Sequence, residues 1–212
     1  SDCRRLDFAL LLDMLLSELK RGGLNEILKP IQHVMVDEYQ DTNPIQEDVF
    51  FSLTENSQNL CVVGDDDQSL YRFRGASVEC MVRFKEECID RWNLKPKKIN
   101  IIENFRSNPQ IVDFYETYMN SHEGLNIEGN RLRERGQPPL LAKGPNLADY
   151  PSVILCQGSE KEDTDSLLAE FIISLEEIVE DWSQVAILSP SVNEDTIGVG
   201  SLIRLLEEKG VP

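Results

Sequence analysis

A chain of 212 residues, 41% hydrophobic and 28% charged, has the composition of a globular protein and is long enough for one large or two small domains. Its net charge of −17 argues against broad, nonspecific adhesion to nucleic acid or to anionic membrane. Charge acts over only about a Debye length, ~8–10 Å, so a local basic track is still allowed. In chain order, residues 5–21 carry apolar side chains at helical spacing and are stopped by Gly22-Gly23. Residues 33–38 read as a buried strand. Asn43 is placed to cap the next helix, with Pro44 at its first position, and that helix is expected to run to about Glu55. A short apolar strand is expected at 59–64, a helix at 77–91, a third strand at 98–103, and a helix from Asn108-Pro109 to about Ser121. Residues 122–150, rich in Gly, Pro, Asn and charge, read as a loop. A strand at 153–157, a helix at 163–180, a strand at 185–189 and a helix at 200–209 complete the reading. Short strands rich in Val and Ile, apolar on both faces and alternating with helices, point to an α/β fold: a parallel sheet covered by helices.

The five cysteines, at 3, 61, 80, 88 and 156, form no C-x-x-C pair, and only His33 and His122 accompany them. Free, reduced thiols are expected, and a zinc site is not. The longest apolar run, FALLLDMLL, is broken by Asp13 and falls far short of ~18 residues. No signal peptide is visible, so a cytoplasmic location with no membrane contact is the default expectation.

The chemistry is concentrated in HVMVDEYQDTNPIQ, residues 33–46. An apolar run meets Asp37 and Glu38, and Asp41 follows. In open α/β sheets the ligand site lies at the carboxyl ends of the strands. Asp65, after the strand 59–64, sits at a comparable end. Clustered carboxylates repel, and a hard cation such as Mg²⁺ relieves the repulsion while keeping positions open for phosphate oxygens. An apolar strand ending in Asp-Glu is the Walker B pattern, in which Asp holds magnesium and Glu positions the attacking water. Alone, the same pair also fits a solvated turn.

The combination is more specific. VDEYQDTNPIQ, VVGDDDQSLYRFRGA and ENFRSNPQIV, in that order, resemble motifs II, III and IV of the UvrD/Rep/PcrA family of superfamily 1 DNA helicases. The resemblance is clear over roughly residues 6–118 and looser over 150–212. It implies RecA-like parallel sheets flanked by helices, with parts of two motor domains: the C-terminal part of the first in 1–103 and the N-terminal part of the second in 104–212. It also implies ATP and Mg²⁺ in the cleft between the domains, and single-stranded or duplex DNA as the track, in a setting such as DNA repair. Carried over by position, Asp37 would coordinate Mg²⁺ and Glu38 would be catalytic base beside it. Gln40 and Asp41 would link nucleotide state to their neighbours, and Gln68 would sense the γ-phosphate. Arg106, with a planar guanidinium suited to phosphate, would reach in as an arginine finger. The blander readings are a polar loop for Gln68 and a surface ion pair for Arg106.

In SLYRFRGA, Tyr71 and Phe73 alternate with Arg72 and Arg74. On an extended segment, aromatics would lie on one side and guanidinium groups on the other. Stacking on bases together with phosphate contacts is the chemistry of sequence-independent single-strand binding. The bland alternative is that one of the two rings packs into the core. The family commonly has Trp where Phe73 stands.

One part is missing. The chain has twelve glycines and no Gly-Lys dipeptide, so it holds no G-x-x-x-x-G-K-[ST] loop to cradle phosphates. The expectation is an internal piece of a helicase, acting with the rest of the helicase chain and inactive alone. Two alternatives are kept: a helicase-like scaffold without a P-loop that binds DNA or a protein partner without catalysis, and a P-loop ATPase that does not act on nucleic acid.

Overall fold

In the computed structural model the chain is described over residues 7–126, 131–133, 138–145, 152–193 and 199–211. It divides into two units, Ser1–Ala148 and Asp149–Pro212.

The first unit opens with α1 (Phe8–Arg21). Asp7 caps it by accepting Leu10 N at 2.8 Å, and Gly22, at φ 76°, ends it in the left-handed conformation that glycine tolerates best. The short α2 (Asn25–Leu28) follows. Leu16 and Leu19 of α1, Leu28 of α2 and Val49 bury together in one apolar cluster. Strand β1 (Val34–Val36) pairs in parallel with β2 (Leu60–Val62), with Val34 opposite Leu60 and Val36 opposite Val62. Between them lies α3 (Pro44–Leu53), whose start follows the sequence reading. Asn43 Oδ1 accepts Gln46 N at 2.9 Å and Gln46 Oε1 accepts Asn43 N at 3.0 Å, so both ends of a capping box are closed.

The stretch 77–91 is two helices, α4 (Val78–Val82) and α5 (Phe84–Trp92), because Arg83 adopts φ −94°, ψ 6° between them. No Gly or Pro marks this break, so helical periodicity reads straight across it. Beyond α5, the expected strand 98–103 appears as a two-residue strand at its end, β3 (Glu103–Asn104). Its partner is β4 (Leu141–Ala142), again parallel, and it lies inside the stretch read as loop. Ile99 and Ile101 are exposed, since no described segment lies beside them to complete a ladder. Helix α6 (Pro109–Ser121) follows β3, and Asn108 caps it by accepting Ile111 N at 3.0 Å.

In the second unit, α7 (Lys161–Ser174) packs on α8 (Gly200–Glu208) through Ala169, Ile172, Leu202 and Leu206. Lys161 Nζ lies 2.6 Å from Asp165 Oδ2, and Ser201 of α8 bonds both groups. The expected helix 163–180 ends at Ser174 and continues as a 3-10 turn, Leu175–Glu177. The acids Glu176, Glu177, Glu180 and Asp181 face solvent. Residues 153–157 and 185–188 form no strand among the described residues, and Leu155 and Leu188 are almost fully exposed.

The sheets are therefore parallel but narrow. Val34, Val36, Leu60 and Val62 are half-buried, whereas Met35 and Cys61 point to the open face. The expectation of strands covered on both faces holds for one face among the described residues. Cys61, Cys80, Cys88 and Cys156 are unpaired thiols; Cys3 and residues 5 and 6 of the expected first helix lie outside the described residues. No helix among the described residues is long and apolar enough to cross a membrane. Replacing Asn43 with Ala opens the capping box, and an unfolding free energy lower by about 1 kcal/mol is expected from urea titration. An unchanged midpoint would show that the cap contributes nothing.

Candidate functional site

The site is built where β1 and β2 end. Tyr39 is completely buried, with its ring edge-on to Phe84 at 5.5 Å and its hydroxyl donating to Glu47 Oε1 at 3.0 Å. Burial pushes the Glu47 carboxyl up, and it pushes the Tyr39 phenol up as well. The nearby Cys80 thiol is raised by burial, and then by Glu47, to about 12, which keeps it from acting as a nucleophile. With Tyr39 anchored and its N–H donating to Val63 O at 2.9 Å, the chain turns sharply at Glu38, which takes φ 51°, ψ 43°. A left-handed non-glycine residue costs of order 1–3 kcal/mol and persists only when its surroundings enforce it.

Gln40, 2% exposed, joins the two strand ends. Its Nε2 donates to Glu38 Oε2 at 2.7 Å, and its Oε1 accepts Asp65 N at 3.1 Å. Gln68 Nε2 donates to Asp65 Oδ2 at 2.7 Å. Glu38, Gln40, Asp65 and Gln68 thus form one hydrogen-bonded chain. Gly64 makes room for it: a β-carbon there would stand 2.5 Å from Gln40 Oε1 and 3.1 Å from Tyr39 N. Asp37 is exposed, and its Oδ1 accepts Glu38 N at 2.9 Å. Asp41 Oδ1 is buried with no hydrogen-bond partner among the described residues. No group of three or more His, Cys, Asp or Glu among the described residues forms a metal cage. An exposed carboxylate pair suits a hard ion that keeps waters and takes substrate oxygens, rather than one held by protein alone.

The other two acids of GDDDQ turn inward. Arg131, 2% exposed, donates Nε to Asp67 Oδ1 at 2.6 Å and Nη2 to Asp67 Oδ2. Tyr115 Oη also donates to Asp67 Oδ2, and Arg131 Nη1 donates to Asn120 Oδ1 at 3.0 Å. Leu132 N donates to Asp66 Oδ2 at 2.6 Å. Arg133 Nη1 lies 2.7 Å from Glu116 Oε1, an ion pair without hydrogen-bond alignment. Burial raises Asp66; burial also opposes ionisation of Asp67, but hydrogen bonds from Arg131 and Tyr115 outweigh it and hold Asp67 below the usual carboxylate range. Sequence reasoning missed Arg131. Its stretch reads as loop, and the only signal was that three adjacent acids require cations from somewhere.

Residues 71–74 are not extended. Arg72–Arg74 form a 3-10 turn, which sets the Tyr71 and Phe73 rings 6.0 Å apart on the same side. The Arg74 guanidinium carbon lies 5.1 Å from the Tyr71 ring centre and 5.5 Å from that of Phe73. Tyr71 is 43% and Phe73 79% exposed, so neither ring is a core residue, and Arg72 is exposed as well. Ser77 N donates to Thr42 O at 2.9 Å, which ties this strip to the loop carrying Asp41.

Arg106 is exposed, on the link between β3 and α6. Asn104 Oδ1 accepts both Arg106 N at 3.0 Å and Ser107 N at 2.8 Å, which fixes the backbone there. No described hydrogen bond or ion pair joins Arg106 to Asp37, Glu38 or Gln68; the connection runs through α6 and Asp67.

Residues 1–89 match the UvrD/REP helicase N-terminal domain family. The chain is 32% identical over 165 residues to a component of the ATP-dependent helicase/nuclease of Carboxydothermus hydrogenoformans, covering 76% of this chain and 13% of that protein. It is 36% identical over 155 residues to "DNA helicase II" of Haemophilus influenzae, covering 72% and 20%. With "ATP-dependent DNA helicase PcrA" of Bacillus subtilis the identity is 40% over 84 residues, covering 40% and 11%. The chain therefore spans a fifth or less of the length of each of these relatives. Over these stretches the chain is similar to UvrD-like helicases.

Proposed function

We propose that these residues carry motifs II, III and IV of an ATP-dependent DNA helicase, with 1–103 belonging to the first RecA-like motor domain and 104–212 to the second. The observation that carries the reading is the hydrogen-bonded chain Glu38–Gln40–Asp65–Gln68, with exposed Asp37 beside it. Bound magnesium-ATP would supply the phosphoryl group and a cation that offsets its negative charge. Asp37 offers a carboxylate oxygen to that cation. Glu38, its carboxylate oriented by the Gln40 amide, takes a proton from the attacking water. Gln68 has an amide that exchanges Asp65 for a phosphate oxygen, and Gln40 and Asp41 pass that exchange to the strand ends. Arg106 supplies positive charge to the transferring group.

Tyr71, Phe73, Arg72 and Arg74 form the DNA strip. Two neighbouring exposed rings fit bases of any sequence, and the guanidinium groups fit backbone phosphate. An exposed local strip also reconciles DNA binding with the acidic total, since Glu176, Glu177, Glu180 and Asp181 of the second unit face solvent. A second reading, a scaffold that binds without catalysis, is favoured by the absence of Gly-Lys within these residues. Against it stands the retention of a complete polar chain behind Glu38, which a silent site does not need.

Three outcomes test the reading. In the full-length protein, Glu38→Gln is expected to lower DNA-stimulated ATP turnover by about 10²–10⁴-fold, with ATP affinity little changed; turnover within about threefold of the parent would exclude Glu38 as the base. Tyr71→Ala and Phe73→Ala should each weaken single-stranded DNA binding by roughly 1–3 kcal/mol, alike for different sequences. Loss confined to one sequence would point to base readout instead. Residues 1–212 alone should show no ATP turnover above background; robust turnover would show that phosphates are held without a P-loop.

A further inference from the structure

The turn that ends in Gln68 is fastened to α6 by a buried ion pair. Asp67, in the middle of that turn, has a side chain 2% exposed, and that of Arg131 is 1% exposed. Arg131 holds both oxygens of Asp67 and, through Nη1, the Asn120 side-chain carbonyl in the last turn of α6. Tyr115, in the middle of α6, donates to the same carboxylate. At its other end α6 is capped by Asn108, two residues after Arg106. A helix is stiff over thirteen residues, so where Asp67 grips α6 determines where the Arg106 segment lies relative to Gln68.

Stability alone does not call for such a pair. Apolar residues of similar volume usually serve a core as well as, or better than, a buried ion pair, whereas a fully hydrogen-bonded pair fixes one geometry. We propose that Arg131 is a positioning residue: paired with Asp67, it sets Arg106 against the Gln68 turn so that both act on one nucleotide. This rests on the reading of Arg106 as the arginine finger.

The test is a set of double-mutant cycles in the full-length protein, reading kcat and KM for ATP hydrolysis with saturating single-stranded DNA. Arg106→Ala alone is expected to cost about 10³-fold or more in rate. Arg131→Met and Asp67→Asn are each expected to lower kcat by about 10–100-fold with KM changed less than about threefold, and to cost less than about threefold further when Arg106 is already Ala. Tyr115→Phe, which removes one donor and keeps the ring, should show a smaller loss with the same non-additivity, and it stands in if the charge variants fail to fold. Losses that multiply with that of Arg106→Ala, or an unchanged kcat, overturn the positioning role while leaving the finger intact. Arg106→Ala turning over within about threefold of the parent overturns the finger reading, and the proposal with it.

Discussion

One amide side chain holds the site together. Gln40 is the only described group that bonds directly to both Glu38 and Asp65, and so links the ends of two adjacent strands through its side chain. Both of its functions are used, the NH₂ toward Glu38 and the carbonyl toward Asp65, so its burial leaves neither end unmet. Everything nearby adjusts to it. Gly64 lacks a β-carbon where Gln40 needs the space, Tyr39 is anchored beneath it, and Ser69 Oγ donates to the Gln40 backbone carbonyl at 3.3 Å.

The acids are sorted by what faces them. Asp37 and Glu38 look outward and have no cation from the described residues. Asp66 and Asp67, next to Asp65 in sequence, look inward and are met by a backbone N–H and by Arg131. The same residue type thus serves two ends. The outward pair leaves negative charge available to a ligand cation, and the inward pair converts charge into fixed geometry.

Local patterns were legible wherever local physics decides. The Asn43-Pro44 helix start, the Gly22 stop, the cap at Asn108 and the parallel strands ending at Asp37 and near Asp65 all follow from spacing and turn chemistry visible in the sequence. What was not legible depends on distant partners. The pairing of Glu103–Asn104 with Leu141–Ala142 requires a segment that reads as loop, and the Arg131–Asp67 pair spans 64 positions. The apolar runs at 98–101, 153–157 and 185–188 have strand composition, yet a strand exists only beside another strand, and the described residues form no ladder with them. Arg83 breaks a helix without a breaker residue. At 71–74, alternation of ring and guanidinium suggested opposite faces, but the segment coils into a 3-10 turn instead of extending, and the two rings end up side by side.

The left-handed backbone at Glu38 has a consequence for how that position tolerates change. The torsion is imposed from outside, by the anchored ring at 39 and the strand contact of its N–H, rather than by anything the Glu38 side chain prefers. The carboxylate therefore rides on a bend that its own identity did not create. Glycine would sit in that bend more comfortably than glutamate does, so the side chain at 38 can be changed without asking the backbone to find a new conformation.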